Sequence, residues 1–322
     1  MRITKNAINI NLIILRMKKN PRRLFLQNSG SLIALALAGS AFDFKKNKPL
    51  LSFSTLGCPD WTFEKIVNFA KENGYDGLEI RTIQREMDLP KRAEFNSPEK
   101  IADTRKFIKD KGVKIVNLGA SSSLHHSDIA ERKKNIDEAK QFIDLAEQLD
   151  CPYIRVFPND FPKDQDRNAT IDLISKGLLE LGDYAKKSHV TVLLESHGQV
   201  VKSDDLETIM RAAEHEHVGL IWDIVNMWAV TKEPPRGVYQ KLKKYIRHTH
   251  IKDLNMVNGK EQYTLLGKGE TPIFEAIDEL YKNGYSGYYS FEWEKLWHPE
   301  IAEPEIALAH YPKTMNEHFK NT

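Results

Sequence analysis

The chain has 322 residues, 41% hydrophobic and 29% charged. These are ordinary globular proportions, which exclude a disordered, collagenous or coiled-coil protein and suffice for a sizeable core. The formal net charge of +2 is unevenly placed: residues 1–48 carry ten Lys and Arg against the single acid Asp43, so the rest of the chain is mildly acidic. Such a body lacks the basic field that a phosphate backbone requires, and no nucleic-acid partner is expected.

Residues 1–48 read as an export leader with a short linker. Lys18, Lys19, Arg22 and Arg23 precede an apolar run from Leu32 to Ala38, followed by the small residues Gly39, Ser40 and Ala41. A basic start, a short apolar core and a cleavage-like end make a signal peptide. Pro21-Arg22-Arg23-Leu24-Phe25-Leu26-Gln27 resembles a twin-arginine motif, and the leader also reads completely from Met17. The apolar run is too short to span a bilayer. The expectation is an exported, periplasmic protein with no stable membrane anchor once the leader is removed.

From residue 49 onward, short apolar runs alternate with amphipathic segments. Leu50–Leu56 reads as a strand and Phe63–Glu72 as a helix closed by Asn73-Gly74. Then come strand Gly77–Arg81, helix Pro98–Lys111, strand Val113–Leu118 and the long helix Asp128–Leu149. Strand Pro152–Phe157 is followed by helix Ala169–Lys187, and strand Val190–Glu195 by helix Ser203–Glu214. Strand Val218–Asp223 leads to a short helix Gly237–Lys244, and strand Ile246–Ile251 to helix Pro272–Asn283. Gly287–Glu292 is the eighth strand, and Pro304–Phe319 a final helix. Eight strands with helical crossovers pair in parallel and predict an α/β protein, a (β/α)8 TIM barrel over residues 49–322. An open doubly wound sheet would carry a Gly-rich phosphate loop after its first strand, and Leu56-Gly57-Cys58-Pro59 is not one. Cys58 and Cys151 fall at opposite ends of such a barrel, so no bridge between them is expected.

Chemistry in this fold sits where the strands end. Strands five to eight end in or near Glu195, Asp223, His250 and Glu292. Three carboxylates and an imidazole converging on the axis cannot all stay ionised without a cation, because mutual repulsion would protonate them. One divalent metal ion is therefore expected, and this oxygen-rich set suits Mn, Co, Zn or Mg alike. Around it, His197 either hydrogen-bonds a substrate hydroxyl or packs. Lys252 and Asp253 either pair with each other or line the pocket. Arg155 is placed to bind a hydroxyl or carboxylate. Trp293, one of several tryptophans near strand ends, either stacks on a sugar ring or packs. Just beyond it, Glu294 is read as a support for a metal ligand and Trp297 as a lid.

Val192-Leu193-Leu194-Glu195-Ser196-His197, Leu220-Ile221-Trp222-Asp223, His250-Ile251-Lys252-Asp253, Leu266-Gly267-Lys268-Gly269-Glu270 and Tyr289-Ser290-Phe291-Glu292 resemble the metal and substrate motifs of the xylose isomerase-like TIM-barrel superfamily of sugar phosphate isomerases and epimerases. The likeness runs from about Leu50 to the end and extends to exported Bacteroidetes-like members. It implies that the metal holds a hydroxyl and a carbonyl of the substrate and stabilises an enediolate-type intermediate. It also implies that Glu195 and Glu292 are paired acid/base groups on opposite faces, and that Glu79 and His125 contact substrate.

One departure matters. Where many members carry a histidine three residues after the strand-six aspartate, this chain has Asn226, which hydrogen-bonds substrate but is a poor divalent ligand. The Asp-x-His pair of the DNA-repair branch is also missing after His250, which argues against an apurinic endonuclease. The expected function is isomerase or epimerase chemistry on an unphosphorylated sugar or polyol, a small-molecule partner, with homo-oligomerisation left open. The alternatives are a metal-dependent lyase or dehydratase on a keto-sugar or 3-keto-glycoside, and a non-catalytic sugar-binding barrel.

Overall fold

Strand runs buried on both faces and helices with one apolar stripe leave few ways to fold, and the computed structural model, which describes residues 48–322, shows a closed barrel. The leader motifs between Met17 and Ala41 lie outside the described residues. The elements in chain order are β1 (Leu50–Ser54), α1 (Phe63–Glu72), β2 (Gly77–Ile80), α2 (Pro98–Lys111), β3 (Lys114–Ser123), α3 (Ile129–Leu149), β4 (Tyr153–Phe157), α4 (Arg167–Ala185), β5 (Thr191–Glu195) and α5 (Ser203–Ala212). They continue with β6 (Val218–Asp223), α6 (Ile224–Thr231), α7 (Pro235–Leu242), β7 (Ile246–Ile251), β8 (Asp253–Val257), β9 (Lys260–Thr264), α8 (Ile273–Lys282), β10 (Tyr288–Phe291) and α9 (Pro304–Lys320).

Eight strands close in the order β1-β10-β7-β6-β5-β4-β3-β2, every neighbour parallel, the arrangement expected of a (β/α)8 barrel. The helix boundaries follow local chemistry. Thr62 and Ser97 cap α1 and α2 by accepting from Lys65 N and Lys100 N, and Asp128 caps α3 by accepting from Ala130 N and Glu131 N. α2 ends at Gly112, whose φ of 70° is left-handed, a conformation that glycine adopts without a Cβ penalty. Among the described residues no helix is long and apolar enough to cross a membrane. Cys58, just past β1, and Cys151, just before β4, are free and buried; burial raises the Cys151 thiol to about 12.

Most expected elements shift by only a residue or two, but β3 runs on to Ser123 and two features were not anticipated. α6 follows β6 directly. Its sequence is apolar on nearly every side, so it carries no periodic signal, yet Asp223 caps it by accepting from Asn226 N at 2.9 Å. The second feature is the antiparallel pair β8–β9, outside the barrel. Its turn is Asn258-Gly259, with φ of 53° and 76°, the dipeptide most suited to a two-residue hairpin.

The first residue of this hairpin ties it to the loop that follows. Asp253 Oδ2 accepts from the backbone N–H groups of Gly267 and Gly269, both at 2.9 Å. The carboxylate thereby holds the chain in the segment that follows β9. A Cβ at Gly269 would collide with Asp253 Oδ1 and the Leu254 carbonyl. Gly269→Ala is therefore expected to destabilise the fold by about 1–3 kcal/mol, the usual range for forcing a carbon into a packed site, measured by urea unfolding. Wild-type stability in that variant would mean that the loop is not held by this contact.

Candidate metal centre

Four barrel strands deliver the centre. β5 ends in Glu195, β6 ends in Asp223, β7 carries His250 one residue from its end, and Glu292 directly follows β10. Register aligns them: Asp223 pairs with His250, and Ser290 on β10 pairs with His250 from the other side. One donor atom from each of the four lies within 4.8 Å of the others, and all four residues are buried. His250 Nδ1 is 3.3 Å from Glu292 Oε1, 3.4 Å from Glu195 Oε1 and 3.7 Å from Asp223 Oδ2. Ligands bound at about 2.1 Å around one ion stand at about this separation.

The side chains themselves fit a cation. Glu195 Oε2, Asp223 Oδ2 and His250 Nδ1 are buried without a hydrogen-bond partner among the described residues, a costly arrangement unless something else engages them. Burial opposes charge on His250, but Glu292, Glu79 and Glu195 outweigh it and hold the imidazole well above its usual range. In Glu292 burial favours the neutral form, and His250 and Lys252 reverse this, holding the carboxyl well below its usual range.

Beneath the centre sits Glu79 on β2, fully buried, where a substrate contact was expected. Its Oε2 accepts from Nε2 of both His248 and His250 at 3.0 Å. The reason is the pleat: Glu79 is the last residue but one of β2 and turns into the barrel toward His248 and His250. Taking the Nε2 proton fixes the His250 tautomer and leaves Nδ1 for the ion, a common support for a metal-bound imidazole. Glu79, His248 and His250 also form a compact trio of donor types, but the 3.0 Å separations are hydrogen bonds.

Lys252 is buried, and its partners are carboxylates other than Asp253. Its buried Nζ lies 2.8 Å from Asp223 Oδ2, 2.6 Å from Glu292 Oε2 and 2.7 Å from Glu294 Oε1. Glu292 and Glu294 accept from two of the three ammonium donors, while Asp223 Oδ2 pairs with its charge without hydrogen-bond geometry. Those charges outweigh burial and raise Lys252 well above its usual range. Glu294, read as a support, does brace this ion cluster, and burial raises its carboxyl to about 7. Asp253, also expected at the substrate, instead anchors the backbone of the β9–α8 loop.

The remaining expected residues divide. Arg155 lies at the centre, with Nη1 3.2 Å from Glu195 Oε2. His197 is half-buried beside it: its Nδ1 is 2.9 Å from Asn159 Oδ1 and its ring is 4.3 Å from that of Phe157. Asn226 is half-buried on the first turn of α6. His125 is 8% exposed, its ring 4.1 Å from that of His126; burial and then His126 lower its pKa. Trp293 is 1% exposed, stacks on Phe291 and donates Nε1 to the Ala302 carbonyl. It is a packing residue with no face for a sugar, because its position turns it into the layer under α9. Trp297 is 54% exposed. Sequence reasoning passed over Arg81, which is 7% exposed, donates to Gly119 O and Ser121 Oγ, and falls to about 9 through burial and the nearby Arg155. The signal was its place at the end of strand two.

The family described as xylose isomerase-like TIM barrel matches residues 67–311. The chain is 26% identical to a 3-dehydroshikimate dehydratase of Bacillus anthracis, over 72% of this chain and 85% of that protein. It is 25% identical to an inosose isomerase of Halalkalibacterium halodurans, over 73% and 83%. Among solved structures, the IOLI protein with a binding zinc atom superposes with a TM-score of 0.71 at 19% identity, covering 84% of this chain and 97% of that one.

Two outcomes follow from this geometry. Because His250 stays protonated far above its ordinary range, binding of a divalent ion must displace that proton. Apparent metal affinity should then rise about tenfold per pH unit between pH 6 and 8, as chelator competition would measure; a flat profile would remove Nδ1 as a ligand. Glu79→Gln takes away the charge that orients His250, and metal affinity should fall about 10–100-fold with circular dichroism unchanged.

Proposed function

Because the chain belongs to the xylose isomerase-like TIM-barrel family, we propose that it is a metal-dependent isomerase or epimerase of an unphosphorylated sugar or polyol. The observation that carries this reading is the pair Glu195 and Glu292. Both offer one oxygen to the shared ion position, and they reach it from β5 and from the end of β10, with β6 and β7 between them in the barrel. Glu195 Oε1 and Glu292 Oε1 face His250 Nδ1; Glu195 Oε2 is left without a hydrogen-bond partner for proton transfer, and Glu292 Oε2 accepts from Lys252. The relatives named inosose isomerase and fructoselysine 3-epimerase support the same chemistry.

A divalent cation held by Glu195, Asp223, His250 and Glu292 would polarise a carbonyl and its neighbouring hydroxyl and so acidify the C–H between them. Glu195 takes that proton on one side of the substrate. Glu292, once it has left Lys252 and taken a proton from solvent, returns that proton from the other side, which inverts the carbon; returned to the neighbouring carbon, the proton moves the carbonyl. Asn226 and His197 stand at the mouth as hydrogen-bonding groups for hydroxyls. The leader motif supports twin-arginine export and a periplasmic location, where free sugars rather than sugar phosphates are the available class. The metal is Mn, Co, Zn or Mg.

A second reading has its own support in the 3-dehydroshikimate dehydratase relative. The same proton abstraction ends in elimination when the neighbouring oxygen departs. A panel of free ketoses and 3-keto-glycosides in D2O with Mn2+, Co2+ or Zn2+, followed by NMR, separates the outcomes. Deuterium in an intact sugar marks an isomerase or epimerase, whereas an alkene or released aglycone marks a lyase. Glu195→Gln and Glu292→Gln should each lower turnover about 10²–10⁴-fold at saturating metal. If either variant turns over normally with its metal bound, that glutamate is not the acid/base.

A further inference from the structure

The barrel mouth is divided by sign. Asp223, Glu292 and Glu294 gather on the β6–β10 side around Lys252. Across from them, β2 and β4 present two guanidiniums, Arg81 and Arg155, 7% and 2% exposed. They converge over Gly119 of β3: a Cβ there would lie 2.8 Å from Arg155 Nη2 and 2.9 Å from Arg81 Cδ.

Arg81 has structural employment through Gly119 O and Ser121 Oγ. Arg155 does not. Its guanidinium lies flat on Phe157, with Cζ 3.7 Å from the ring centroid. Its Nε has no hydrogen-bond partner among the described residues. Its ion pair with Glu195 is charge proximity without hydrogen-bond geometry, since Glu195 Oε2 is likewise unpartnered. Glu195 is also a proposed metal ligand, so its charge is shared with the ion when that site is filled. With the charge of Glu195 shared with the ion, this buried guanidinium keeps only part of its counter-charge, and its Nε–H is an unused donor.

We propose that Arg155, with Arg81 beside it, forms a carboxylate-binding subsite, so that the substrate is a sugar acid: a polyhydroxylated carbonyl compound bearing a carboxylate. The inference rests on the sugar-enzyme reading above and adds to it the charged end of the substrate. A guanidinium fork matches a planar carboxylate with two parallel hydrogen bonds. A phosphoryl group has three acceptor oxygens and nearly twice the charge, which one guanidinium fork does not satisfy. The carboxylate lies on the β2–β4 wall, and the hydroxyl and carbonyl reach across to the acidic side.

The test is calorimetric binding to the Mn2+-loaded full chain of matched probes in the gluco and galacto series: the uronic acid, its uronamide, the neutral sugar and the sugar 6-phosphate. The expected result is that a uronate binds at least about tenfold tighter than its uronamide. Arg155→Gln should erase that preference while uronamide affinity and metal content stay within about twofold, and Arg155→Lys should restore part of it. Arg81→Gln keeps the test open if Arg155→Gln fails to fold, and it should weaken uronate binding alone. Equal affinity for uronate and uronamide overturns the subsite and leaves the sugar-enzyme reading standing. A preference that survives both Arg variants, or tighter binding of the phosphate, also overturns it. Metal-loaded protein that binds none of the panel counts against both the subsite and the sugar-enzyme reading.

Discussion

Buried carboxylates hold their charge only beside cations. Glu195, Asp223, Glu292 and Glu294 are each less than one-tenth exposed and crowd one end of the barrel, so each must be answered by a positive group or give up its charge. Lys252 answers three of them with its charge, donating hydrogen bonds to Glu292 and Glu294 and pairing with Asp223 by proximity alone. Arg155 stands by Glu195, and His250 faces Glu195, Asp223 and Glu292 at once. What remains is a focus where the unpartnered Asp223 Oδ2 and His250 Nδ1 meet Glu195 and Glu292. That focus is the place a divalent ion would take.

One strand supplies most of this order. In β7 alternate residues face the same side, so His248, His250 and the following Lys252 climb the barrel interior as a ladder. His248 contacts Glu79 at the bottom, His250 links Glu79 to the ion position, and Lys252 gathers the carboxylates at the top. Ile251, between them, is fully buried in the apolar core. Asp253 then leaves the barrel and fixes the loop through Gly267 and Gly269. The run His250-Ile251-Lys252-Asp253 is thus ligand, core residue, charge hub and loop anchor in succession, and the separate motif Leu266-Gly267-Lys268-Gly269-Glu270 is the backbone its last residue holds.

What could be read from the sequence follows from this. Strand ends are visible in apolar runs bounded by polar residues, and the fold then brings Glu195, Asp223, His250 and Glu292 together whatever their spacing along the chain. The depth of a side chain is not visible in that way. Glu79 looked like any other strand-end acid, but it lies one residue inside β2, fully buried, and accepts from His250 and His248. Lys252 and Asp253 are adjacent and opposite in charge, which suggests a local pair, yet strand alternation sends them to different partners. Trp293 shows the same limit: an aromatic beside a strand end stacks or packs according to which way its Cα faces, and here it lies against Phe291. The β8–β9 hairpin, by contrast, had a legible signal in Asn258-Gly259.

The two glutamates of the proposed reaction start unequal. Glu292 Oε2 already accepts from Lys252 at 2.6 Å, whereas Glu195 Oε2 has no hydrogen-bond partner among the described residues. A base needs an uncommitted lone pair, so Glu195 is the group ready to remove a proton. Epimerisation returns a proton to the opposite face and needs Glu292 released from Lys252 during the cycle. Elimination makes no such demand, because Glu195 alone takes the proton and another donor assists the departing oxygen. Glu294 supplies the means of release: Lys252 is already 2.7 Å from it, and a small shift of the ammonium toward that carboxylate frees Glu292 without leaving the lysine unpaired. In the proposed reaction, the choice between the two chemistries then turns on how firmly Lys252 is shared between Glu292 and Glu294.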